Sequence, residues 1–394
     1  MQYEQHTSLP KADPESAQHS ARVTQYVRDK IAAAGACISF AEYMHHVLYA
    51  PGLGYYSAGT TKFGAAGDFV TAPEVSSVFG SVLARQCAEV LAQVDAPSIL
   101  EFGAGSGKLA ADILRKLSEL EALPERYSIL EVSADLRERQ ESLLRSEIPE
   151  FVDRVVWLDQ MPEEHCGVIV ANEVLDALPV ERFVSRAGRI KQICVAVDGE
   201  TFSLVERDAP ESLAIAVAAI ESDLGRSLPD GYTSDLCLAC PAWVTDLAGI
   251  LTKGAAFLFD YGVGRREYYA DERSDGWLRC HFRHHAHSDP LILPGIQDLT
   301  SWVDFTAAAE AAVLGGLDVL GFSTQAQFLI GGGLEQELAD FAELPINAQL
   351  KLSGQVKLLT LPGEMGENFK CLGLGRGNIT APTAFRSADR TMSL

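Results

Sequence analysis

One seven-residue stretch, Glu101-Phe-Gly103-Ala-Gly105-Ser-Gly107, restricts the possible folds of this chain more than any other. The apolar run before it, Ser98 to Phe102, reads as a buried strand, and Leu109 to Leu117 reads as a helix. Three glycines at alternate positions let the backbone turn sharply between them and let a ligand approach with no Cβ in the way. The free amides opening the following helix make the spot electropositive. Strand, glycine turn and helix in this order begin a βαβ unit, and the chain continues in the same manner. A strand at Tyr127–Val132 is followed by a helix at Ser133–Leu144, then strands at Val155–Leu158 and Gly167–Ala171. Such alternation predicts an α/β fold with a parallel sheet. Ala255–Tyr261 supplies another buried strand, and the late apolar runs Ala326–Ile330 and Val356–Leu361 are expected to complete the sheet.

The spacing within the turn discriminates between cofactors. A dinucleotide fingerprint needs a glycine three positions after Gly105, and Lys108 stands there. The pattern acidic-x-G-x-G-x-G is instead the version typical of S-adenosylmethionine (SAM) sites. Glu101, Gly103, Ala104, Gly105 and Gly107 are thus candidate cofactor contacts, with Glu101 facing the ammonium of the amino acid end. Glu131, at the end of the next strand, lies where a carboxylate accepts both ribose hydroxyls, and Val132 adjoins it. Asp159, just past the third strand, either accepts from the adenine amino group or caps a turn. The fourth strand runs into Asn172-Glu173-Val-Leu-Asp176-Ala-Leu-Pro179. Reactions on doubly wound sheets occur beyond the carboxyl ends of the strands. There, Glu173 and Asp176 are placed to orient an amine or guanidinium acceptor and take up its charge, with Asn172 as an orienting group. Asn172 and Asp176 could equally cap a following helix.

Ahead of this core, residues 21–95 read as a helical region. Val23, Tyr26, Val27 and Ile31 share one helix face, and Ser39-Phe-Ala-Glu42 reads as a capping box. Thr71-Ala-Pro-Glu74 reads as a second capping box opening one long helix through Leu91. Between the two lies the loop Phe63 to Val70, with Gly64 and Gly67, an anion-friendly nest. Residues 1–20 and 377–394 are expected to be loose tails. The expected core, 96–376, carries a hairpin near 183–197 and an irregular insert near 262–305.

The net charge of −22 argues against a nucleic-acid partner, which would call for a basic footprint, and suits a basic protein segment. No apolar run approaches the roughly 20 residues of a membrane span. Eight dispersed cysteines and an N-terminus without an apolar leader segment suggest a reduced, cytoplasmic setting. Cys237 and Cys240 have no second pair to make a metal or redox motif. His281, His284, His285 and His287 lack an acidic or cysteine partner at a ligand spacing, so no metal is expected.

Several blocks occur together in order: Pro51-Gly-Leu-Gly-Tyr55-Tyr56, Gly67-Asp-Phe-Val-Thr71-Ala-Pro73-Glu74 with Phe79-Gly80, Glu101–Gly107, Asn172–Pro179, Phe259-Asp260-Tyr261-Gly262, Arg279-Cys-His281, Gln297-Asp298-Leu-Thr300 and Val303-Asp304-Phe305. Over residues 38–375 the chain resembles the MidA-like SAM-dependent methyltransferases, whose mitochondrial members serve as assembly factors for respiratory complex I. The resemblance implies a class I, Rossmann-like methyltransferase fold with an N-terminal helical cap and an insertion late in the sheet. It also implies that Gly67, Thr71 and Pro73 belong to the cofactor site, and that the acceptor is a protein nitrogen, an arginine in the mitochondrial members. Trp302 departs from the family pattern, where a polar residue is expected.

Overall fold

A computed structural model describes residues 9–57 and 71–394. These fall into two compact units, each assembled from distant parts of the chain.

The unit built from Thr71–Leu178, Cys237–Ala270 and Trp302–Leu394 holds the parallel sheet. Its main strands are β1 (Ser98–Phe102), β2 (Arg126–Leu130), β3 (Val155–Leu158), β4 (His165–Asn172), β5 (Leu251–Val263), β6 (Asp318–Thr324) and β7 (Phe369–Arg376). Their order across the sheet is β6-β7-β5-β4-β1-β2-β3. All neighbouring pairs are parallel except those made by β7, which runs antiparallel to both β5 and β6. Val303–Asp304 adds a short parallel pairing to the end of β5.

Alternation along the central strands explains why they read as continuous apolar runs. Val168, Val170, Phe257 and Phe259 face one core, which includes Phe79, Leu83 and Leu114 of the helices Ser77–Leu91 and Lys108–Glu119. Ile169, Ala171, Ala256 and Leu258 face the other, with Val244 and Ala308 of the helices Ala239–Ile250 and Phe305–Leu314. A parallel sheet covered on both faces requires this pattern.

Three expectations about this unit need correction. Ala326–Ile330 and Val356–Leu361 lie largely in helices, Gln325–Gly331 and Ile346–Thr360, and the sheet is completed by β6 and β7 instead. Apolar period alone does not separate a short strand from a buried helical turn. The Thr71 helix is broken in two, Ala72–Val75 and Ser77–Leu91, by extended Ser76, whose hydroxyl accepts from the Val78 amide. Thr71 makes no side-chain cap, and Glu74 accepts a hydrogen bond from the Ser106 hydroxyl in place of closing a box. The C-terminal stretch is not loose: Ile379, Ala384 and Phe385 are in the core, and Thr383 bonds Glu89 through its amide and hydroxyl.

The other unit comprises described residues up to 57 with Pro179–Leu236 and Asp271–Ser301. Its helix Pro14–Ala34 starts well before residue 21, because the Asp13 carboxylate caps the amides of Glu15 and Ser16, so the loose tail expected through residue 20 ends earlier. The Ser39–Glu42 capping box forms as expected and opens helix Phe40–Tyr49. The hairpin Glu181–Arg186 with Arg189–Asp198 turns at Ala187 and Gly188, both at positive φ. It joins Cys37–Ser39, Thr201–Asp208 and Thr233–Leu236 in an antiparallel sheet of its own. Residues 179–236 and 271–301 therefore group with the N-terminal helices, not with the expected 96–376 core. Antiparallel pairing over some 150 residues leaves no local mark in the sequence. Part of the insert is ordered as a three-stranded sheet of Arg279–Phe282, His285–His287 and Asp298–Thr300.

Phe385 stacks on Phe257 and lies against Gly321 and Gly373, where any Cβ would strike its ring. Phe385→Ala is expected to cost about 3–5 kcal/mol of unfolding free energy, measured by denaturant titration. A loss below about 1 kcal/mol would show the C-terminal segment to be dispensable.

Candidate active site

The strand register brings the candidate residues to one edge. Phe102 of β1 is level with Leu130 of β2 and with Ala171 of β4, Leu130 is level with Leu158 of β3, and Asn172 is level with Phe259 of β5. Gly103, Glu131, Asp159 and Glu173 each follow a strand, so all four lie beyond the carboxyl ends. The chain order reverses between β1 and β4, which makes this edge the topological switch point where open α/β sheets bind ligands.

Gly103, Gly105 and Gly107 all have positive φ, at 61°, 54° and 88°. That left-handed backbone is what the three glycines are needed for. Gly103 donates to Leu130 O, and Gly107 donates to Ala104 O at 2.8 Å, closing the turn as it enters helix Lys108–Glu119. Lys108 pairs with Asp112 at 2.9 Å within this helix.

Glu101 is buried at the end of β1 and accepts a hydrogen bond from the Tyr127 hydroxyl at 2.8 Å. Burial pushes its carboxyl up to about 7, against the Tyr127 bond, with the Glu131 charge adding to the rise. Glu131 is also buried and raised by desolvation, while its oxygens accept from the Ser133 amide at 2.9 Å and the Gln140 amide at 3.1 Å. A carboxylate has about four lone-pair positions, so both oxygens can accept further donors. Val132 beside it is 81% exposed, an apolar face presented at the edge. Asp159 pairs with Arg137 at 2.9 Å, and Arg137 also donates to the Glu131 carbonyl at 2.6 Å.

On the far side of the switch point, Glu173 has φ 54°, a left-handed conformation that costs a non-glycine residue about 1–3 kcal/mol. Asp260 of β5 secures the turn that imposes it. Its buried carboxylate accepts from the amides of Leu175 at 2.9 Å, Asp176 at 3.1 Å and Tyr261 at 2.9 Å. The Glu173 amide donates to Phe259 O at 2.9 Å. Burial, then the nearby Glu173 charge, raises the Asp260 carboxyl well above the usual carboxylate range. Asn172 donates to Glu173 at 3.1 Å, while its own Oδ1 is buried with no hydrogen-bond partner among the described residues. Asp176 is buried. Asn172 and Asp176 open no regular helix, since turns lead from here to the strand Glu181–Arg186. Tyr261 packs at a tilt against Phe369 and stacks on Trp302 with ring centroids 6.5 Å apart, so the departure at Trp302 is an aromatic packing position.

Thr71 and Pro73 flank the start of helix Ala72–Val75, which Glu74 ties to Ser106 of the glycine turn. Gly67 and the rest of the Phe63–Val70 loop lie outside the described residues. The four histidines of the insert are distributed along a hairpin in the other unit, and among the described residues no group of three or more metal-ligating side chains converges. Burial lowers His281 to about 4, leaving it neutral. Cys237 and Cys240 have thiols raised by burial, an unreactive state.

Two residues of the site were given no role from the sequence, although Asp260 stands in one of the family-like blocks. Gln140 repeats with Leu136 and Leu144 along the buried stripe of helix Ala134–Glu147, and a polar residue in a core position was its signal. Asp260 interrupts the apolar run of β5 in the same way.

A glycine turn after β1, a buried acid after β2 and an acidic turn after β4, on a doubly wound sheet with one antiparallel strand, define a Rossmann-like methyltransferase. A family described as "Putative S-adenosyl-L-methionine-dependent methyltransferase" matches residues 82–323, and the chain belongs to this family. Its cofactor is SAM. The protein is 30% identical over 380 residues to protein arginine methyltransferase NDUFAF7, mitochondrial, of Danio rerio, covering 88% of this chain and 85% of that one. The Homo sapiens protein of the same name is 30% identical over 371 residues, covering 86% and 80%. A crystal structure from Burkholderia thailandensis, bound to S-adenosyl-homocysteine, is 40% identical with a TM-score of 0.92, covering 98% of this chain and 100% of that one.

The residues present fit such a cofactor, with a turn whose three glycines hold a left-handed backbone and an orphaned amide oxygen at Asn172. Without ligand, the raised Glu101 carboxyl has a direct consequence for stability. Its ordinary value is 4.5, so between about 4.5 and 7 the folded state holds a proton that the unfolded state has lost. Stability therefore falls as pH rises through this window and levels off above it, a loss of about 3 kcal/mol. Urea unfolding at pH 5 and pH 8 should show that loss in wild type relative to Glu101→Gln. Equal pH dependence of the two proteins would refute it.

Proposed function

We propose that this enzyme methylates a nitrogen of a protein, the guanidinium of an arginine in a basic segment. The observation that carries this reading is the turn at Glu173–Asp176, held in a strained conformation by Asp260 at the switch point beside the glycine turn. Strain of this kind clusters at active sites. The names of the NDUFAF7 relatives support an arginine acceptor, and the net charge of −22 favours a basic partner over a polyanion.

In this reading, Glu101 would hold the ammonium of SAM, Glu131 would accept hydrogen bonds from its ribose hydroxyls, and Val132 and Asp159 would line the adenine. Gly103, Ala104, Gly105 and Gly107 form the backbone cradle, and Gly67, Thr71 and Pro73 contribute from the preceding loop. Bound SAM supplies a methyl group on a sulfonium centre, open to in-line displacement. Glu173 and Asp176 accept N–H bonds from the guanidinium, with Asn172 orienting it, so that lone-pair density builds on the nitrogen facing the methyl. The proton which that nitrogen loses passes to one of the two carboxylates and then to water.

A cytoplasmic setting accords with eight cysteines that are all free. Among the described residues, no helix is long and apolar enough to cross a membrane.

The reading is tested by incubating a lysate with isotopically labelled SAM and either wild type or Glu173→Ala, with mass spectrometry of the labelled peptides. Label on arginine is expected with wild type, reduced at least about 100-fold by the substitution, while calorimetric affinity for S-adenosylhomocysteine stays within about threefold. Label confined to small molecules, absent altogether, or unchanged in Glu173→Ala would reject it.

A further inference from the structure

We infer that Gln140 is a positioning residue for the cofactor, fixing the glycine turn and the Glu131 carboxylate as one rigid unit through an amide that Trp157 locks in place. This rests on the proposed role of Glu131 in accepting the ribose hydroxyls. Gln140 is fully buried on helix Ala134–Glu147. Its Nε2 donates to Gly105 O at 3.0 Å and to Glu131 Oε2 at 3.1 Å, and its Oε1 accepts from Trp157 Nε1 at 2.9 Å.

The indole settles which way the amide lies. Trp157 has only an N–H to offer, so the amide oxygen must face it and the NH₂ must face the turn. In that orientation the two amide protons meet two acceptors, the Gly105 carbonyl and the carboxylate. Reversing the amide would set two N–H groups against each other at Trp157 and an oxygen against two oxygens. The indole thus selects the one rotamer that organises both cofactor-facing elements.

The backbone adds a steric constraint. A Cβ on Gly107 would stand 3.3 Å from the Gln140 Cα and 3.4 Å from its Cβ, so the turn and the helix are in direct contact where the side chain crosses. Glu131 accepts from the backbone amides of its own loop, at Ser133 and Val132, and from Gln140 on the following helix. Without the Gln140 bond, the carboxylate is restrained by its own loop alone. Its oxygens then no longer present a fixed pair of acceptors to two adjacent hydroxyls.

This role predicts a loss confined to the ribose. Calorimetry would compare S-adenosylhomocysteine with its 2′,3′-dideoxy analogue in wild type, Glu131→Gln, Gln140→Met and Trp157→Phe. Wild type should bind the parent at least about 30-fold more tightly than the analogue, and Gln140→Met should reduce that ratio about tenfold. Trp157→Phe, a milder change, should reduce it by a factor of about 3–5, with little further effect when combined with Gln140→Met. A merely structural role would weaken both ligands alike and leave the ratio unchanged, and that result would overturn the inference. If Glu131→Gln also leaves the ratio unchanged, the assignment of the ribose to Glu131 fails. If Glu131→Gln lowers it and Gln140→Met does not, the positioning role alone fails.

Discussion

The shared level at which β1, β2 and β4 end, beside Phe259 of β5, is the constraint from which the rest of the site follows. Residues 69 and 87 positions apart become neighbours because parallel register leaves them no other place. Phe102 level with Ala171, and Asn172 level with Phe259, put the glycine turn and the acidic turn on the same edge of the sheet. The side chains that secure each turn come from outside it: Gln140 from a helix, Asp260 from the neighbouring strand β5, and Glu74 from the segment preceding the first strand. Each local feature is ordinary taken alone. Together they hold two irregular backbone segments in fixed relation, which is what an enzyme with a cofactor on one side and an acceptor on the other requires.

Local chemistry explains which parts of this were legible in the sequence. Glycines at 103, 105 and 107 declared the turn because no other residue takes those φ values readily, and Lys108 excluded a dinucleotide by its position. The central strands were readable because both faces are buried, which leaves runs such as Ala255–Phe259 without polar interruption. The ends of the sheet were not. Val356–Leu361 carries as much apolar weight as β7, and only tertiary packing makes the first a helix and the second a strand. The division into two units was hidden for a related reason. The hairpin at 181–198 is plain in its turn residues, but nothing local says that its partners are Cys37–Ser39 and Thr233–Leu236 and not the parallel sheet.

At the site, the sequence singled out the acids near the strand ends and gave no reading of what holds them in place. Glu101 is the penultimate residue of β1, and Glu131, Glu173 and Asp176 follow strands, positions that carry meaning by themselves. Gln140 could be seen only as a polar residue in an apolar pattern, a signal that also fits any satisfied core residue, and Asp260 stood in a family-like block without a role of its own. Thr71 shows the opposite failure. Its sequence context fits a capping box, yet the acid that would close the box is claimed by Ser106, and tertiary contact overrides local preference.

The carboxylates themselves indicate the sign of what the edge is built to receive. Glu101 is bonded to a phenol, Glu131 to amide N–H groups, and Asp260 to three backbone amides. Among the described residues none of the three is hydrogen-bonded to a lysine or arginine, and burial raises all three. Elsewhere in the same unit buried acids are treated differently, Asp112 lying between Lys108 and Arg115. Glu101 and Asp260, buried with only neutral donors on their oxygens, bear a desolvation cost in the unliganded state, and Arg137 offsets part of that cost for Glu131. A cationic ligand offsets that cost and an anionic one adds to it. The preference for positive charge is thus contained in the arrangement of neutral donors around these acids, and it suits a cofactor with a sulfonium and an ammonium and the guanidinium of the proposed acceptor.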